Sequence, residues 1–180
     1  MPSYVALLRG VNVGGRNRVA MPRLRAAFEA MGHEDVSTYV QSGNVVFRCP
    51  SRAASSIRAE LERRIQDEFG LDVVVIVRTR AELAAVVERN PFRRSRGADQ
   101  QLHVAFLADR PSRRAIARLD PQRSPPDEFA VVERHVYLRF PNGMGRTKLT
   151  NDYLERQLGT SCTVRNWRTV TELRRLVESS

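Results

Sequence analysis

Tyr4-Val5-Ala6-Leu7-Leu8-Arg9-Gly10-Val11-Asn12-Val13-Gly14-Gly15-Arg16-Asn17-Arg18 is the stretch that decides the fold. Its first five residues are apolar and predict a buried strand, and the glycines, asparagines and arginines that follow predict a loop. A helix should come next, because Pro22 stands where a first helical residue would and apolar residues then recur at helical spacing. A strand that leads through a glycine-rich loop into a helix is a place where backbone N–H groups can bind an anion.

The composition indicates a basic, folded protein without a membrane span. The chain has 180 residues, of which 42% are hydrophobic, and no apolar run approaches the roughly 18 residues that a span requires. The first residues lack the charged region and long apolar stretch of a signal peptide. We therefore expect a cytoplasmic protein with no membrane partner.

The net charge of +10 comes from 29 arginines and a single lysine, Lys148, against 20 acidic residues. The charge is spread along the chain, whereas a concentrated basic tail would favour nucleic acid more strongly. It still favours phosphates over cationic partners. The two cysteines form neither a disulfide framework nor a CxxC zinc pattern, and we expect no metal and no cofactor.

Hydrophobic patterning predicts the same series of elements twice: strand, helix, strand, strand, helix, strand, helix. A polar segment, residues 93–100, separates the two series and is predicted to be a linker or mobile loop. Residues 4–8 resemble residues 103–107, and residues 79–88 resemble residues 169–178, where both helices are expected to open with a Thr-x-x-Glu capping box. The predicted fold is therefore α+β, an internal duplication with two tandem ferredoxin-like (split βαβ) halves, 1–97 and 98–180, in one compact unit.

From this topology we expect the first and third strands of each half to be parallel neighbours at the sheet centre. Their following loops would then emerge at one end, so each glycine loop would lie at the end of its sheet where helices begin. The hairpin turn at residues 41–44 would lie at the end of its sheet opposite the first glycine loop.

The first glycine loop has two interpretations. Its glycine spacing does not match the GxGxxG dinucleotide fingerprint. The glycines either serve turns that the chain geometry requires, or they form an anion nest to which Arg9, Arg16 and Arg18 supply charge.

The second glycine loop, residues 143–148, superficially resembles a phosphate loop but lacks the Walker A spacing, which excludes ATP hydrolysis by that mechanism. Thr147 is expected either to cap the following helix or to belong, with Lys148, to a binding loop. Residues 163–168 contain the only tryptophan. Trp167 either packs between the last strand and the last helix, or forms a stacking wall beside Arg165 and Asn166 in a polar site.

Nucleophilic catalysis has little support in the sequence. Cys49 follows Arg48, but local spacing places no histidine near it, so a core or surface thiol is expected. No carboxylate pair or established catalytic motif stands out.

Several of these motifs together resemble a bacterial family, domain of unknown function 1697. The motifs are residues 4–15, 38–47, 90–92, 145–150 and 163–170, and their order and spacing match over essentially the whole chain. The resemblance implies an α+β protein built from two ferredoxin-like halves. It implies no activity, because the family has no established one.

We therefore expect a cytoplasmic protein that binds a phosphate-bearing ligand through glycine and arginine loops. Alternatives are a nucleic-acid-binding protein, an enzyme acting on a small anionic metabolite, and a protein–protein adaptor. An RRM-type binder is disfavoured because the third strand, residues 44–47, lacks paired aromatic residues. Whether the protein is an enzyme and what its oligomeric state is stay open. The predicted ligand-binding residues are Arg9, Asn12, Gly14, Gly15, Arg16, Gly145, Arg146, Thr147, Lys148, Arg165 and Asn166.

Overall fold

The structure, a computed structural model, describes residues 1–94 and 99–180. The described residues form two four-stranded antiparallel sheets and six α-helices, which confirms the predicted α+β class. Two compact units are present: Met1–Ala85 together with Glu172–Ser180, and Val86–Thr171. The boundary predicted between residues 97 and 98 lies outside the described residues, as does the centre of the predicted linker.

The first unit follows the element order predicted for the first half. Its elements are β1 (Ser3–Leu8), α1 (Met21–Ala30), β2 (Glu34–Tyr39), β3 (Asn44–Arg48), α2 (Ala54–Phe69), β4 (Val75–Thr79) and the start of α3 (Arg80–Glu88). Helix α2 carries Ile57, Leu61 and Ile65 on its buried face and ends at Gly70, whose φ of 66° suits a helix C-terminus.

The strands of the first sheet lie in the order β2-β3-β1-β4, and every pair of neighbours is antiparallel. The expectation that β1 and β3 are parallel is therefore wrong. The crossover through α1 makes β2 run parallel to β1, and the hairpin then reverses the chain, so β3, which lies between them, opposes both. The loop after β1 and the turn before β3 consequently lie at the same end of this sheet.

The second unit has the same strand arrangement, with the order β6-β7-β5-β8 and antiparallel neighbours. Its elements are a 3₁₀ turn (Asp99–Gln101), β5 (Leu102–Leu107), α4 (Arg113–Ile116), β6 (Glu128–Val132), β7 (His135–Arg139), a 3₁₀ turn (Met144–Arg146), α5 (Asn151–Leu158), β8 (Cys162–Asn166) and the start of α6 (Trp167–Glu178).

Strand register gives a residue-by-residue correspondence between the two sheets. Val5 pairs with Arg78 in the first sheet, and Val104 pairs with Arg165 in the second. Arg78 and Arg165 are both buried. The same register makes Thr79 correspond to Asn166, the last residue of each final strand.

This register corrects one sequence match. The capping box at α3 is confirmed, since the backbone N of Thr79 donates to Oε2 of Glu82 at 2.9 Å and the N of Glu82 donates to Oγ1 of Thr79 at 3.1 Å. Helix α6, however, is capped by Asn166, whose Oδ1 accepts from the N of Thr169 at 2.8 Å. The Thr-x-x-Glu at residues 169–172 therefore lies inside the helix and is no capping box, because Thr169 stands three residues beyond the true cap.

Each sheet packs one face against its own helices. In the first unit, Tyr4, Ala6 and Leu8 lie in a core with apolar residues of α1 and α2, and in the second unit Ala105 and Leu107 lie in a core with α5. Burial of one such large apolar side chain contributes about 1.5–3 kcal/mol. Among the described helices, none is both long enough and apolar enough to cross a bilayer.

Candidate functional site

The first glycine loop is a miniature hairpin that projects from the end of β1. The N of Arg16 donates to the O of Val13 at 3.0 Å, and the N of Asn12 donates to the O of Asn17 at 3.1 Å. Gly14 and Gly15 occupy the two central turn positions with φ of 57° and 74°. A two-residue turn with both φ values positive is the type I′ arrangement, which strongly prefers glycine. The glycines are therefore required by the turn, and their N–H groups lie at its exposed tip.

Asn12 holds the base of this hairpin. Its Nδ2 donates to the O of Val19 at 2.9 Å and to the O of Gln41 at 2.7 Å, and its Oδ1 accepts from the N of Val19 at 2.8 Å. The amide of Asn12 is thus committed to backbone groups. These bonds fix the base of the loop against Val19 and Gln41.

The turn that joins β2 and β3 lies beside this loop, and the expectation that it occupies the opposite end of the sheet is wrong. The N of Leu8 donates to the O of Gly43 at 2.9 Å, in addition to the bond from Asn12 to Gln41. A Cβ on Gly43 would stand 2.9 Å from the Cβ of Leu8, and Gly43 has a φ of 80°. Only glycine suits this position, because both the close approach and the positive φ exclude a side chain. The antiparallel pairing of β1 and β3 is what brings the two motifs together.

Two valines are exposed on this pair of loops. Val13 is 62% exposed and Val40 is 49% exposed. Val40 has a φ of 50°, which is unusual for a β-branched residue and costs on the order of 1–3 kcal/mol. Strain of this kind persists where the surrounding structure fixes the backbone, and it is frequent at functional sites. Sequence reasoning missed both valines, since an alternating apolar pattern suggests burial.

Three arginines give this end of the first unit its charge. Arg9 is half-buried at the end of β1, and its backbone N donates to the O of Val74 at 3.0 Å. Arg16 and Arg18 are exposed. A Cβ on Gly15 would lie 3.8 Å from Nη2 of Arg18, so this guanidinium lies over the hairpin tip. Among the described residues, neither Arg16 nor Arg18 forms an ion pair. We call the surface formed by residues 9–18 and 40–43 the basic loop end.

The second glycine loop belongs to the second unit and has a different construction. Oγ1 of Thr147 accepts from the N of Leu149 at 3.0 Å, whereas Thr150 caps α5 by accepting from the N of Tyr153 at 3.2 Å. The cap of α5 is therefore Thr150 and not Thr147. Gly145, Arg146 and Lys148 are exposed.

A second loop supports this one. The N of Lys148 donates to Oγ of Ser124 at 2.9 Å, and the hydroxyl of Ser124 donates to Asp127 at 2.7 Å. The guanidinium of Arg123 lies 4.6 Å from the ring centroid of Tyr153, and its Nε donates to the backbone O of Lys148 at 3.5 Å.

Arg165 and Trp167 are buried, whereas Asn166 is exposed at the start of α6. Arg165 is buried and donates to Oγ1 of Thr163 at 2.6 Å and to the O of Val164 at 3.1 Å. Burial lowers the pKa of Arg165 to about 10, because a charged guanidinium is poorly solvated there. Trp167 is buried, which fits the interpretation that it packs between strand and helix. Strand register places the C-terminal ends of β7 and β8 at the same end of the sheet, where β5 begins.

The structure places His33 and Cys49 at the same end of the β2–β3 pair, which local spacing did not reveal. Glu34 pairs with Arg48 at the end of the two antiparallel strands. His33 comes just before this pair in the chain, and Cys49 comes just after it. Burial lowers the pKa of His33 and raises the pKa of the Cys49 thiol, so both groups are held uncharged. An uncharged, buried thiol is a poor nucleophile, and this pair has the character of a packed core. Within the described part of the chain, no group of three or more His, Cys, Asp or Glu side chains is placed to hold a metal ion.

Comparison with known proteins found a solved structure with a similar fold and a protein family whose model matches the chain. A solved structure described as conserved bacterial protein SP0830 from Streptococcus pneumoniae is similar over 98% of each chain, with a TM-score of 0.73 and 19% identity. At that identity the likeness concerns the fold alone. The chain belongs to the family described as Protein of unknown function (DUF1697), whose model matches residues 1–137. No curated protein matches the chain.

Proposed function

We propose that the basic loop end of the first unit binds a phosphate-bearing ligand. The observation that carries the proposal is the bond from Asn12 to Gln41, which fixes a loop with three arginines against the β2–β3 turn. Arg9, Arg16 and Arg18 supply positive charge, and the N–H groups of Gly14 and Gly15 are exposed at the hairpin tip.

Preorganisation supports this assignment. Asn12, Asn17 and Val40 all have positive φ, and Nδ2 of Asn17 donates to the O of Gly10 at 3.0 Å. A loop held by its own side chains loses little conformational freedom when a ligand binds, so more of the interaction energy appears as affinity.

The glycine loop of the second unit forms a second part of the proposal. Gly145, Arg146, Thr147 and Lys148 follow β7, and the side chains of Arg146 and Lys148 are exposed. Guanidinium and ammonium groups on exposed loops suit phosphate oxygens, which accept several hydrogen bonds at once.

A nucleic acid is the second candidate for the same ligand, and the exposed apolar residues favour it. Val13 and Val40 lie on the basic loop end beside the arginines, so a partner there meets both charge and apolar surface. A nucleotide strand offers phosphates and base or sugar surface together.

The test is fluorescence anisotropy with labelled single- and double-stranded DNA and RNA across a salt series, alongside calorimetry with inorganic phosphate and nucleoside monophosphates. The variant Arg16→Ala/Arg18→Ala should weaken whatever binds. The matched control, Arg25→Ala/Arg63→Ala, removes two exposed arginines from helices of the same unit and so gives the same change in net charge.

Binding that falls steeply with salt and weakens only in the loop variant supports the nucleic-acid candidate. Binding of a mononucleotide or phosphate alone supports a small ligand. Equal losses in both variants would mean that net charge and not the loop is responsible, which would contradict the proposal.

The proposal also covers the type and origin of the two units. The strand order β2-β3-β1-β4, repeated as β6-β7-β5-β8 with matching register, supports two ferredoxin-like units that arose by duplication in a bacterial protein. Cys49 and Cys162 are buried free thiols, which is consistent with a reducing cytoplasmic location. Cell fractionation checks the location.

A further inference from the structure

A cavity of about 460 Å³ lies in the second unit, where β5 begins and α6 starts. Its lining includes Asp99, His103, Asn166, Trp167, Arg168 and Thr171. The volume falls within the range of roughly 300–1,000 Å³ that small-molecule sites occupy. The lining contains one carboxylate and one guanidinium, together with an imidazole and two side-chain amides, those of Gln100 and Asn166.

His103 provides the first sign of a ligand. The residue is 8% exposed, and its Nδ1 has no hydrogen-bond partner among the described residues. Burial lowers the pKa of His103, while a hydrogen bond with the backbone of Gln101 raises it less, so the imidazole is uncharged near neutral pH. A buried polar atom without a partner is unfavourable, and a ligand group that bonds to it relieves that cost.

The corresponding corner of the first unit gives an internal comparison. Register makes Tyr4 the counterpart of His103, and Thr79 the counterpart of Asn166. In that corner, the carboxylate of Glu82 accepts a hydrogen bond from the N of Thr79. Its negative charge compensates the positive end of the α3 dipole.

The second unit lacks this compensation. The position that corresponds to Glu82 holds the neutral Thr169, and the position that corresponds to Ala81 holds Arg168. The start of α6 therefore keeps its positive character and adds a guanidinium, and the same cavity is lined by His103, whose Nδ1 has no hydrogen-bond partner.

We propose that this cavity binds a small metabolite that carries an anionic carboxylate or phosphate group and a hydroxyl group. The anionic group meets Arg168 and the first N–H groups of α6, where both charge and dipole favour it. The hydroxyl group donates a hydrogen bond to Nδ1 of His103, which is left as the acceptor because the other ring nitrogen bonds to the backbone of Gln101. Asp99 accepts from a further hydroxyl and disfavours ligands that carry only negative charge.

This site is independent of the basic loop end, which belongs to the other unit and shares no residue with it. Its ligand is a small molecule that enters a partly open cavity, whereas the loop end is an exposed surface. The two proposals can therefore fail separately.

The experiment is an NMR titration that follows the imidazole ¹⁵N signals, of which the chain has only three sets. Acetate, lactate and glycerol 3-phosphate are added in turn. Lactate or glycerol 3-phosphate should shift the His103 signal in a saturable manner, and acetate, which lacks the hydroxyl, should shift it less. If lactate saturates the shift at a lower concentration than glycerol 3-phosphate, the preferred anionic group is a carboxylate. The reverse order identifies a phosphate.

Four variants complete the test. Arg168→Ala changes an exposed side chain and should weaken binding about tenfold, which is about 1.4 kcal/mol. Arg80→Ala removes an arginine from the first turn of α3 and should leave the titration unchanged. His103→Gln assigns the signal, and Arg16→Ala/Arg18→Ala should have no effect. The absence of a saturable shift with both hydroxylated probes, or equal titrations for wild type and Arg168→Ala, overturns the proposal.

Discussion

The side-chain Nδ2 of Asn12 donates to the backbone O of Gln41 at 2.7 Å, and this bond joins the loop after β1 to the turn before β3. The two segments are almost thirty residues apart in the chain, yet they form one surface. The positions of the arginines on that surface depend on this contact.

Replacement of Asn12 separates two contributions to loop stability. Asn12→Ala removes three hydrogen bonds and places an alanine at a φ of 55°, so we expect the free energy of unfolding to fall by about 2–3 kcal/mol. Asn12→Gly removes the same bonds without the strain and should cost about 1–2 kcal/mol. Urea denaturation measures both. A glycine variant as stable as wild type would show that the bonds contribute nothing.

Gly43 should be far more sensitive to substitution than Gly14. Gly43→Ala introduces a Cβ 2.9 Å from that of Leu8 at a positive φ, and we expect a loss of about 2–4 kcal/mol. Gly14→Ala meets no atom within 4 Å and should cost only the conformational strain, about 1–2 kcal/mol. Thermal denaturation of the two variants compares them, and equal losses would contradict the close packing at Gly43.

Tyr137 should make stability depend on alkaline pH. Its hydroxyl donates to the O of Val86 at 2.8 Å, and burial raises the pKa of Tyr137 from 10.0 to about 12. Above pH 10 the unfolded chain loses this proton while the folded protein keeps it, so stability falls as the pH rises towards 12. Tyr137→Phe should be less stable than wild type by about 1–2 kcal/mol at pH 7.

The difference between wild type and Tyr137→Phe isolates this effect from other groups that titrate in alkaline solution. It should shrink between about pH 10 and 12, and denaturant midpoints measured at several pH values provide the check. A constant difference over that range would show that the phenol is not protected.

Two histidines should limit stability in acid. Burial lowers the pKa of both His33 and His103 below the usual histidine value of 6.5, with partial opposition from Glu60 and from the Gln101 backbone respectively. As the pH falls below 6.5, the unfolded chain gains protons that the folded protein does not, so the free energy of unfolding decreases. The double variant His33→Gln/His103→Gln should lose less stability between pH 7.5 and 5.5 than wild type. An identical acid profile for the two proteins would exclude these residues as the cause.

Periodic patterns predicted the order of the elements along the chain, which the structure confirms for the described residues. The pairing direction of β1 and β3 was not predicted correctly, because hydrophobic periodicity shows which face of a strand is buried and carries no information on its partner. For the same reason, the placement of His33 and Cys49 at one end of the β2–β3 pair and the proximity of Gln41 to Asn12 emerge only in three dimensions.

The candidate site shows a similar division. The arginines and glycines of the first loop are residues whose exposure and turn geometry follow from local chemistry. The burial of Arg165 and the role of Asn166 as a helix cap depend on the strand register. Matching the sequences alone aligned Thr169 with the cap residue Thr79, although Thr169 lies three residues beyond the true cap. Arginine is most often exposed, so composition alone favours the wrong environment for Arg165.

The backbone bonds at the ends of β1 and β5 match. The bond from the N of Leu8 to the O of Gly43 and the bond from the N of Leu107 to the O of Arg134 are both 2.9 Å long. Residues 9–20 follow the first strand, whereas only residues 108–112 follow the second before its helix. For protein engineering, a longer loop can therefore be inserted at the end of β5. The hairpin of residues 12–17 suits this insertion because the backbone bond at the end of its own strand has the same geometry.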